Sequence, residues 1–437
     1  MDQKNDLMEK IVSLCKRRGF VFPGSEIYGG LANSYDFGPV GVELFRNIKN
    51  IWWKYFVQMR SDMVGIEGPI IMNPKVWEAS GHISNFTDPL IECKICHIRI
   101  RQDKPADVKT HEETHKGKKV EWTDPKNFNL LFKTFIGAVE DEKSIVYLRG
   151  ETAQTMVTDF KLVQEATRNK LPFGIAQIGK SFRNEITTGN FLFRLKEFTI
   201  AELEYFVKPG EDETAFEDWL KYEEKFFIEG LGFSQKNIKP VDLPKNELAH
   251  YSKRTVDWYY NYPSGWDEMA AVANRTDYDL KNHINHSGKD LAYKDPNTGE
   301  AFVPYIIEPT FGVERMMMAV LIDAYKEEKD RVFLKLKPQL APYKAAVFPL
   351  LKNKPELVKK ARAIYDDLLQ KFPTAWDDRG NVGKRYYAQD EIGTPYCITV
   401  DFQTLEDDTV TIRDRDTMEQ ERIKVLEIAG VVLEQLR

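Results

Sequence analysis

Two apolar runs, QIGKSFRNEI (residues 177–186) and FLFRLKEFTIAELEYF (191–206), stand either side of TTGN, a cluster of turn-forming residues. Runs rich in Phe, Ile, Leu and Tyr around so short a polar loop predict a long β-hairpin, and a long hairpin needs a sheet to hold it. In a strand, residues two apart share a face. Arg183 and Glu185 are therefore expected to point the same way. In the second strand Phe198, Ile200, Glu202 and Glu204 share one face, and Thr199, Ala201 and Leu203 form an apolar opposite face for the core. Taken alone, the charged face reads as solvated, with cross-strand ion pairs worth a few tenths of a kcal/mol each.

The first strand overlaps GIAQIGKS (174–181), which fits the letters of a phosphate-binding P-loop, G-x-x-x-x-G-K-[ST]. That loop works only between a strand and a helix whose N-terminus faces phosphate. Here a helical pattern (Ala153, Met156, Val157, Phe160, Val163) and Pro172 precede it, and TTGN follows within a few residues of Ser181. The context fails on both sides, and a P-loop NTPase is set aside.

Elsewhere, helical periodicity marks residues 6–19, the run VELFRNIKNIWWKYFVQM (Leu44, Ile48, Ile51, Trp52, Tyr55), the charged segment up to about 232, and Met316, Met317, Val320 and Leu321 after a turn expected at EPTFG. DMVGIEGPIIMNP reads as a strand broken by Pro69. RVFLKLKPQLAP reads as a linker. Beyond it, YKAAVFPLL, YCITVDF and TVTIRDR as strands, with helices at 355–371 and from about 418, predict a small α/β domain. The 437 residues suffice for two or three domains, and the net charge of −6 gives no general basic field, so a nucleic-acid partner needs local patches. Without a membrane-length apolar run or a signal-peptide core, and with four scattered Cys, the chain reads as cytoplasmic.

Three segments together resemble the motifs of class II aminoacyl-tRNA synthetases: DMVGIEGPIIMNP as motif 1, SFRNEITTGNFLFRLKEF as motif 2 and EPTFGVERMMMA as motif 3. FVFPGSEIYGG, DFGPVGVEL, MNPKVWEASGH, FNLLFKT, NRTDYDL and GKRYYAQDEIGTPYCITVD extend the likeness to the homodimeric type of glycyl-tRNA synthetase, over about residues 20–420. The resemblance implies an α+β catalytic core, an antiparallel sheet flanked by helices, over residues 1–335. It implies an anticodon-binding α/β domain over 341–437, and a homodimer joined through motif 1. The activity implied is activation of glycine by ATP with Mg²⁺, then transfer to tRNA(Gly). A non-catalytic nucleic-acid-binding protein on the same scaffold is the alternative; it would be expected to lack the motif arginines, which are present here.

The implied chemistry suits the residues. A glycine carboxylate is already ionised at pH 7 and needs no base to attack the α-phosphate, so the task is positioning and offsetting charge. Arginine, always protonated and fork-shaped, does both. By resemblance Arg183 holds the α-phosphate and Arg315 the γ-phosphate, as the catalytic pair. Asn184, Glu185, Phe193, Arg194, Phe198, Glu268, Met269 and Gly312 complete the ATP site, with Phe198 stacking on adenine and Glu268 acting through Mg²⁺. Arg101, Glu151, Glu202, Glu308 and Thr310 fall at the glycine contacts. Several carboxylates around one ammonium, with walls that exclude any side chain, are what glycine demands, and no editing domain is expected. Two positions depart from the family: RGETAQ where R-P-E-T-A-Q is usual, so that Gly150 loosens the backbone before Glu151, and Thr310 where Ser is usual.

Residues 90–122 look like an insertion. Cys93 and Cys96, then His111 and His115, have the spacing of a Cys₂His₂ zinc site, with His97 as a spare ligand. The other reading is a charged insertion in which these residues are incidental. Lys104, Lys109, Lys116, Lys118 and Lys119 offer a basic surface to a tRNA acceptor stem.

Overall fold

The computed structural model describes residues 2–186 and 191–436; the TTGN loop expected to close the hairpin lies outside the described residues. After α1 (Asp2–Arg18) comes α2 (Pro39–Trp53). Pro39 opens α2 without loss because the first helical N–H has no partner anyway. The helix buries Leu44, Phe45, Ile48 and Trp52 on one face. The strand β1 (Met63–Gly65) is short, and the chain then leaves the main sheet. Strands β2 (Thr87–Glu92) and β3 (Arg99–Arg101), helix α3 (Pro105–Thr114) and β4 (Lys126–Asn129) make a separate antiparallel unit in the order β3-β2-β4, which contains the segment read as an insertion.

The core resumes with α4 (Ala153–Thr158), α5 (Phe160–Thr167), β5 (Phe173–Phe182), β6 (Glu197–Val207) and α6 (Asp212–Lys225). It is completed by β7 (Ile238–Asp242), β8 (Arg254–Tyr262), β9 (Gly265–Thr276), α7 (Tyr278–Ser287), β10 (Tyr305–Gly312) and α8 (Val313–Ala324). The sheet runs β7-β8-β9-β10-β6-β5-β1, antiparallel except where β1 lies beside β5. Its hairpin is as long as expected, paired from Phe182 and Glu197 to Phe173 and Phe206.

The solvated face expected for β6 is not found. Thr199 to Val207 are all buried, because β6 is an inner strand covered on both sides. Ala201, Leu203, Tyr205 and Val207 pack with Trp52, Trp219, Phe226 and the α8 methionines. The other face meets Phe160 and Phe173 at its end, through Phe206. The glycines of the P-loop pattern are strand residues passed closely by other chains: a Cβ on Gly179 would lie 2.1 Å from the Arg149 guanidinium, and one on Gly174 2.3 Å from Met63 Sδ.

Three further expectations change. EPTFG is not a turn: β10 continues to Gly312, although pairing with β6 lapses between Thr310 and Ile307, where Pro309 has no N–H to donate. The segment read as a linker is packed instead, with Leu334, Leu336 and Leu340 in the main core and Asn47 Nδ2 donating to the Leu340 and Ala341 carbonyls at 3.1 and 3.0 Å. In the C-terminal unit, β11 (Ala345–Pro349), α9 (Pro355–Leu369), β12 (Thr374–Trp376), α10 (Val382–Ile392), β13 (Tyr396–Val400) and β14 (Thr409–Asp414) appear as an α/β sheet. The expected helix from 418 begins later, as α11 (Ile428–Glu434), after an edge strand β15 (Gln420–Lys424). Pairing with β14 and the Arg422–Asp401 ion pair at 2.7 Å outweigh the helical preference of a charged segment.

Candidate active site

A cleft with about 640 Å³ of empty space opens beside the hairpin and is lined by Arg183, Glu185, Phe193, Arg194, Phe198, Glu268, Met269, Thr310, Gly312 and Arg315. These residues come from β6, β9, β10, α8 and the segments beside the hairpin loop, so one end of the sheet gathers motifs 2 and 3. Arg183 and Glu185 do not share a strand face as expected, because β5 ends at Phe182. Instead Arg183 N–H donates to Lys196 O at 3.0 Å and Glu185 N–H to Arg183 O at 2.7 Å, a tight turn that still leaves both side chains on the cleft. The Arg183 guanidinium lies between the rings of Phe86 and Phe198, at 5.1 and 5.4 Å, with Nε donating to Gly150 O at 3.2 Å. Asn184 is different: its N–H donates to Leu130 O at 2.8 Å and it does not line the cleft.

Across the cleft Arg315 is held from several directions. Nε donates to Phe193 O at 3.1 Å, Nη1 to Glu268 O at 3.0 Å and to the Glu268 carboxylate at 3.1 Å, and the guanidinium sits 4.5 Å from the Phe193 ring centre. Arg315 itself lines the cleft. Glu314, next in the chain, accepts the Thr199 N–H with both oxygens (3.0 and 2.8 Å) and fastens α8 to the start of β6. Arg194 pairs with Glu185 at 3.6 Å.

A second, buried group adjoins the cleft. Thr310, on the cleft wall, donates to Glu202 at 3.0 Å, and the other Glu202 oxygen accepts from Thr152 N and Oγ1 at 2.9 and 2.5 Å. Arg275, fully buried, binds Asp279 through two nitrogens (2.7 and 2.9 Å), Glu308 at 2.7 Å, and approaches Glu151 at 3.7 Å while lying 3.7 Å from the Tyr251 ring centre. His82 Nε2 is 3.1 Å from Glu151, with its Nδ1 on Ser80 Oγ at 2.8 Å. Burial works to raise the Glu151 carboxyl, yet His82 and Arg275 outweigh it and hold the group below the usual carboxylate range. Burial raises Glu308 well above that range despite Arg275, and burial together with Glu151 raises Glu202. The cluster thus gathers more acids than Arg275 can neutralise, an imbalance that favours a further cation.

Of the residues expected at glycine, Glu151, Glu202, Glu308 and Thr310 are brought together. Arg101 stands elsewhere: its partners are Asp88 at 2.9 Å and Asp103 at 2.6 Å, and the site residue whose charge it feels is Glu185, on the ATP side. Arg275, Asp279, His82 and Glu314 went unread in the sequence, and Glu204 was read only as part of a solvated face. Arg275 and Asp279 carried a faint signal, an i, i+4 pair of opposite charge in NRTDYDL, but nothing local said that the pair is buried. Gly150 has a steric role: a Cβ there would meet Phe86 at 3.1 Å and Leu131 at 3.2 Å.

In the insertion, Cys93, Cys96, His111 and His115 converge, with one potential ligand atom from each within 4.8 Å of the others. Cys93 Sγ lies 3.5 Å from His115 Nε2, Cys96 Sγ 3.4 Å from His111 Nε2, and the two Nε2 atoms are 3.1 Å apart. The Cys93 thiol is held below its ordinary range; burial opposes this, and the N–H groups of Cys96 and Ile95 outweigh it. Two soft sulfurs and two imidazoles aimed at one point fit a tetrahedral zinc. His97 is not a competitor, since it pairs with Glu92 at 3.0 Å.

Comparison with known proteins agrees with this layout. Residues 135–324 match the family described as "tRNA synthetase class II core domain (G, H, P, S and T)" and residues 344–435 the "Anticodon binding domain". The chain is similar to the glycine–tRNA ligases of Caldanaerobacter subterraneus subsp. tengcongensis (50% identical, 98% of each chain), Clostridium acetobutylicum (50%, 98% and 99%) and Geobacillus thermodenitrificans (48%, 98% of each). Among solved structures it resembles Giardia lamblia prolyl-tRNA synthetase in complex with prolyl-adenylate, with a TM-score of 0.69, 16% identity, and coverage of 99% of this chain and 79% of that one, a likeness of fold. Half of its residues are shared with such relatives over nearly the whole length of both chains, and motifs 2 and 3 meet at one cleft: the chain belongs to the glycine–tRNA ligase family of class II aminoacyl-tRNA synthetases.

Proposed function

We propose that the chain activates glycine with ATP and transfers it to the 3′ end of tRNA(Gly). In the first step a glycine carboxylate oxygen bonds to the α-phosphorus while the bond from that phosphorus to the bridging oxygen breaks, and pyrophosphate leaves with the electron pair. Arg183 is placed to hold the α-phosphate and the attacking carboxylate. Phe198 offers its ring to adenine, and Arg315 and Arg194 meet the outer phosphates. Glu268 is the carboxylate that would hold Mg²⁺ arriving with ATP, an ion that supplies further neutralisation of the triphosphate. The ammonium enters among Glu151, Glu202 and Glu308. One observation carries this reading: Thr310 lines the nucleotide cleft and donates to Glu202, so the phosphate site and the carboxylate pocket are neighbours. The motif arginines, held in place by their neighbours, argue against a non-catalytic role.

The Cys₂His₂ group would hold a structural zinc that fastens the insertion. The C-terminal α/β unit reads the anticodon. Two copies join through the motif 1 region, where Ile71 is exposed; Ile27 and Tyr28 are further apolar side chains uncovered in one chain. Among the described residues no helix is long and apolar enough to cross a membrane. Aminoacylation of unfractionated tRNA with each of the twenty amino acids tests the proposal: glycine alone is expected to be charged, and charging by any other amino acid overturns it.

A further inference from the structure

Glu204 has no part in the chemistry above, yet it is the deepest carboxyl of the pocket. Strand pairing of Glu202 with Thr310 and of Tyr205 with Ile307 sets it opposite Glu308, at the point where Pro309 interrupts the ladder. Its exposure is 0%, against 2% for Glu202 and 5% for Glu308, and an oxygen from each of the three lies within 4.8 Å of the others. Neither Glu204 oxygen has a hydrogen-bond partner among the described residues, whereas Glu202 has Thr152 and Thr310 and Glu308 has Arg275.

The charges around it are accounted for element by element. Its own strand contributes Glu202, β10 contributes Glu308, β9 Arg275 and the start of α7 Asp279. Across β5 its neighbours are Ile175 and Gln177, and the turn before α4 supplies Glu151, which faces Glu202. Arg275 is already divided among Asp279, Glu308 and Glu151, and Arg149, which feels the Glu202 charge, is bound to the Lys180, Gly68 and Pro69 carbonyls. An ionised Glu204 would be a buried charge without hydrogen bond or counter-ion, a state that costs several kcal/mol. A proton on it turns one orphan oxygen into a donor toward Glu308 or Glu202. Burial first, and then the Glu308 charge, favour that neutral form.

The geometry points to Glu204 as a proton-holding positioning residue: it carries a proton in the empty pocket and releases it to solvent when the substrate ammonium enters. The step balances, since one carboxyl O–H bond breaks, its electron pair stays on the carboxylate, one proton leaves, and one positive charge arrives with the amine. Its consequence is that an amine cation is bound in exchange for a proton. The empty pocket therefore carries one negative charge fewer, and glycine binds more tightly as pH rises. The inference rests on glycine being the substrate.

The test is the KM for glycine in ATP–pyrophosphate exchange, measured across neutral pH for the wild type and for Glu204→Gln, with calorimetry in two buffers of different ionisation enthalpy. The wild-type KM for glycine is expected to fall as pH rises, at a limit of about tenfold per pH unit. kcat should lack that slope, and proton release should accompany binding. Glu204→Gln should lose the KM slope and the released proton. Equal slopes in both proteins, or no proton release in the wild type, overturn the inference and place the proton elsewhere. So does a folded Glu204→Gln protein that fails to bind glycine at every pH, because Glu204 would then be a charged ligand. If Glu204→Gln does not fold, the infrared difference spectrum of the wild type decides: a protonated-carboxyl band must disappear on adding glycine, and its persistence refutes the proposal. A wild type that exchanges pyrophosphate without glycine dependence overturns the substrate reading itself, a separate outcome.

Discussion

Replacing Arg315 by Lys keeps the charge and removes the fork, which makes it a direct test of how the cleft holds phosphate. Two of the three guanidinium nitrogens are committed to anchors, Nε to Phe193 O at 3.1 Å and Nη1 to Glu268 O at 3.0 Å, so on the proposed reading Nη2 serves the nucleotide. A lysine ammonium cannot satisfy two backbone carbonyls and a phosphate from one atom. Losing one to two charge-assisted hydrogen bonds at about 1.5–3 kcal/mol each gives a central loss of about 3 kcal/mol in the transition state, or roughly two orders of magnitude in kcat/KM for ATP. Glycine-dependent ATP–pyrophosphate exchange at saturating glycine measures it, with both a raised KM for ATP and a lowered kcat expected. Thermal unfolding close to that of the wild type would show that α8 still packs. Exchange within about fivefold of wild type, which is about 1 kcal/mol, would refute the argument from bond count.

The crowding at Gly150 predicts that Gly150→Ala destabilises the protein by about 1–3 kcal/mol in denaturant unfolding, as Phe86 is pushed from its place beside Arg183. If Gly150 served only to loosen the chain, the same change would instead stabilise by about 0.4–1 kcal/mol. Purified protein should carry about one equivalent of zinc, and Cys96→Ser should lose it; less than about half an equivalent in the wild type counts against the site. Asp257 is pushed up to about 7 by burial first and by Glu268 second. A carboxyl with a raised folded pKa contributes stability that is complete below its unfolded pKa and is lost as pH rises through about 7. Asp257→Asn should therefore gain stability over the wild type above neutral pH, by up to about 4 kcal/mol from roughly three pKa units, and show no gain at pH 4; a gain independent of pH would be inconsistent with that origin.

What could be read from the chain alone was local. Alternating and 3.6-residue patterns predicted the β5–β6 hairpin, the helices α2 and α8 and most of the C-terminal α/β unit, because each depends on spacing within a dozen residues. Cysteine and histidine spacing likewise predicted a quartet that the fold brings together. The motif residues lining the cleft were legible through resemblance, not through periodicity. Tertiary structure decided the rest. Whether the polar face of β6 meets water or a buried pocket depends on strands and helices drawn from residues 150 to 324. Gln420–Lys424 becomes a strand only because β14 presents an open edge, and RVFLKLKPQLAP packs only because α2 receives it. The charge balance at the site was the least accessible feature. On strand pattern alone Glu202 and Glu204 read as solvated acids, yet β9, β10 and α7 enclose them with Glu308 beside Arg275, and the cost of an ionised carboxyl is set by that enclosure, not by its place in the sequence.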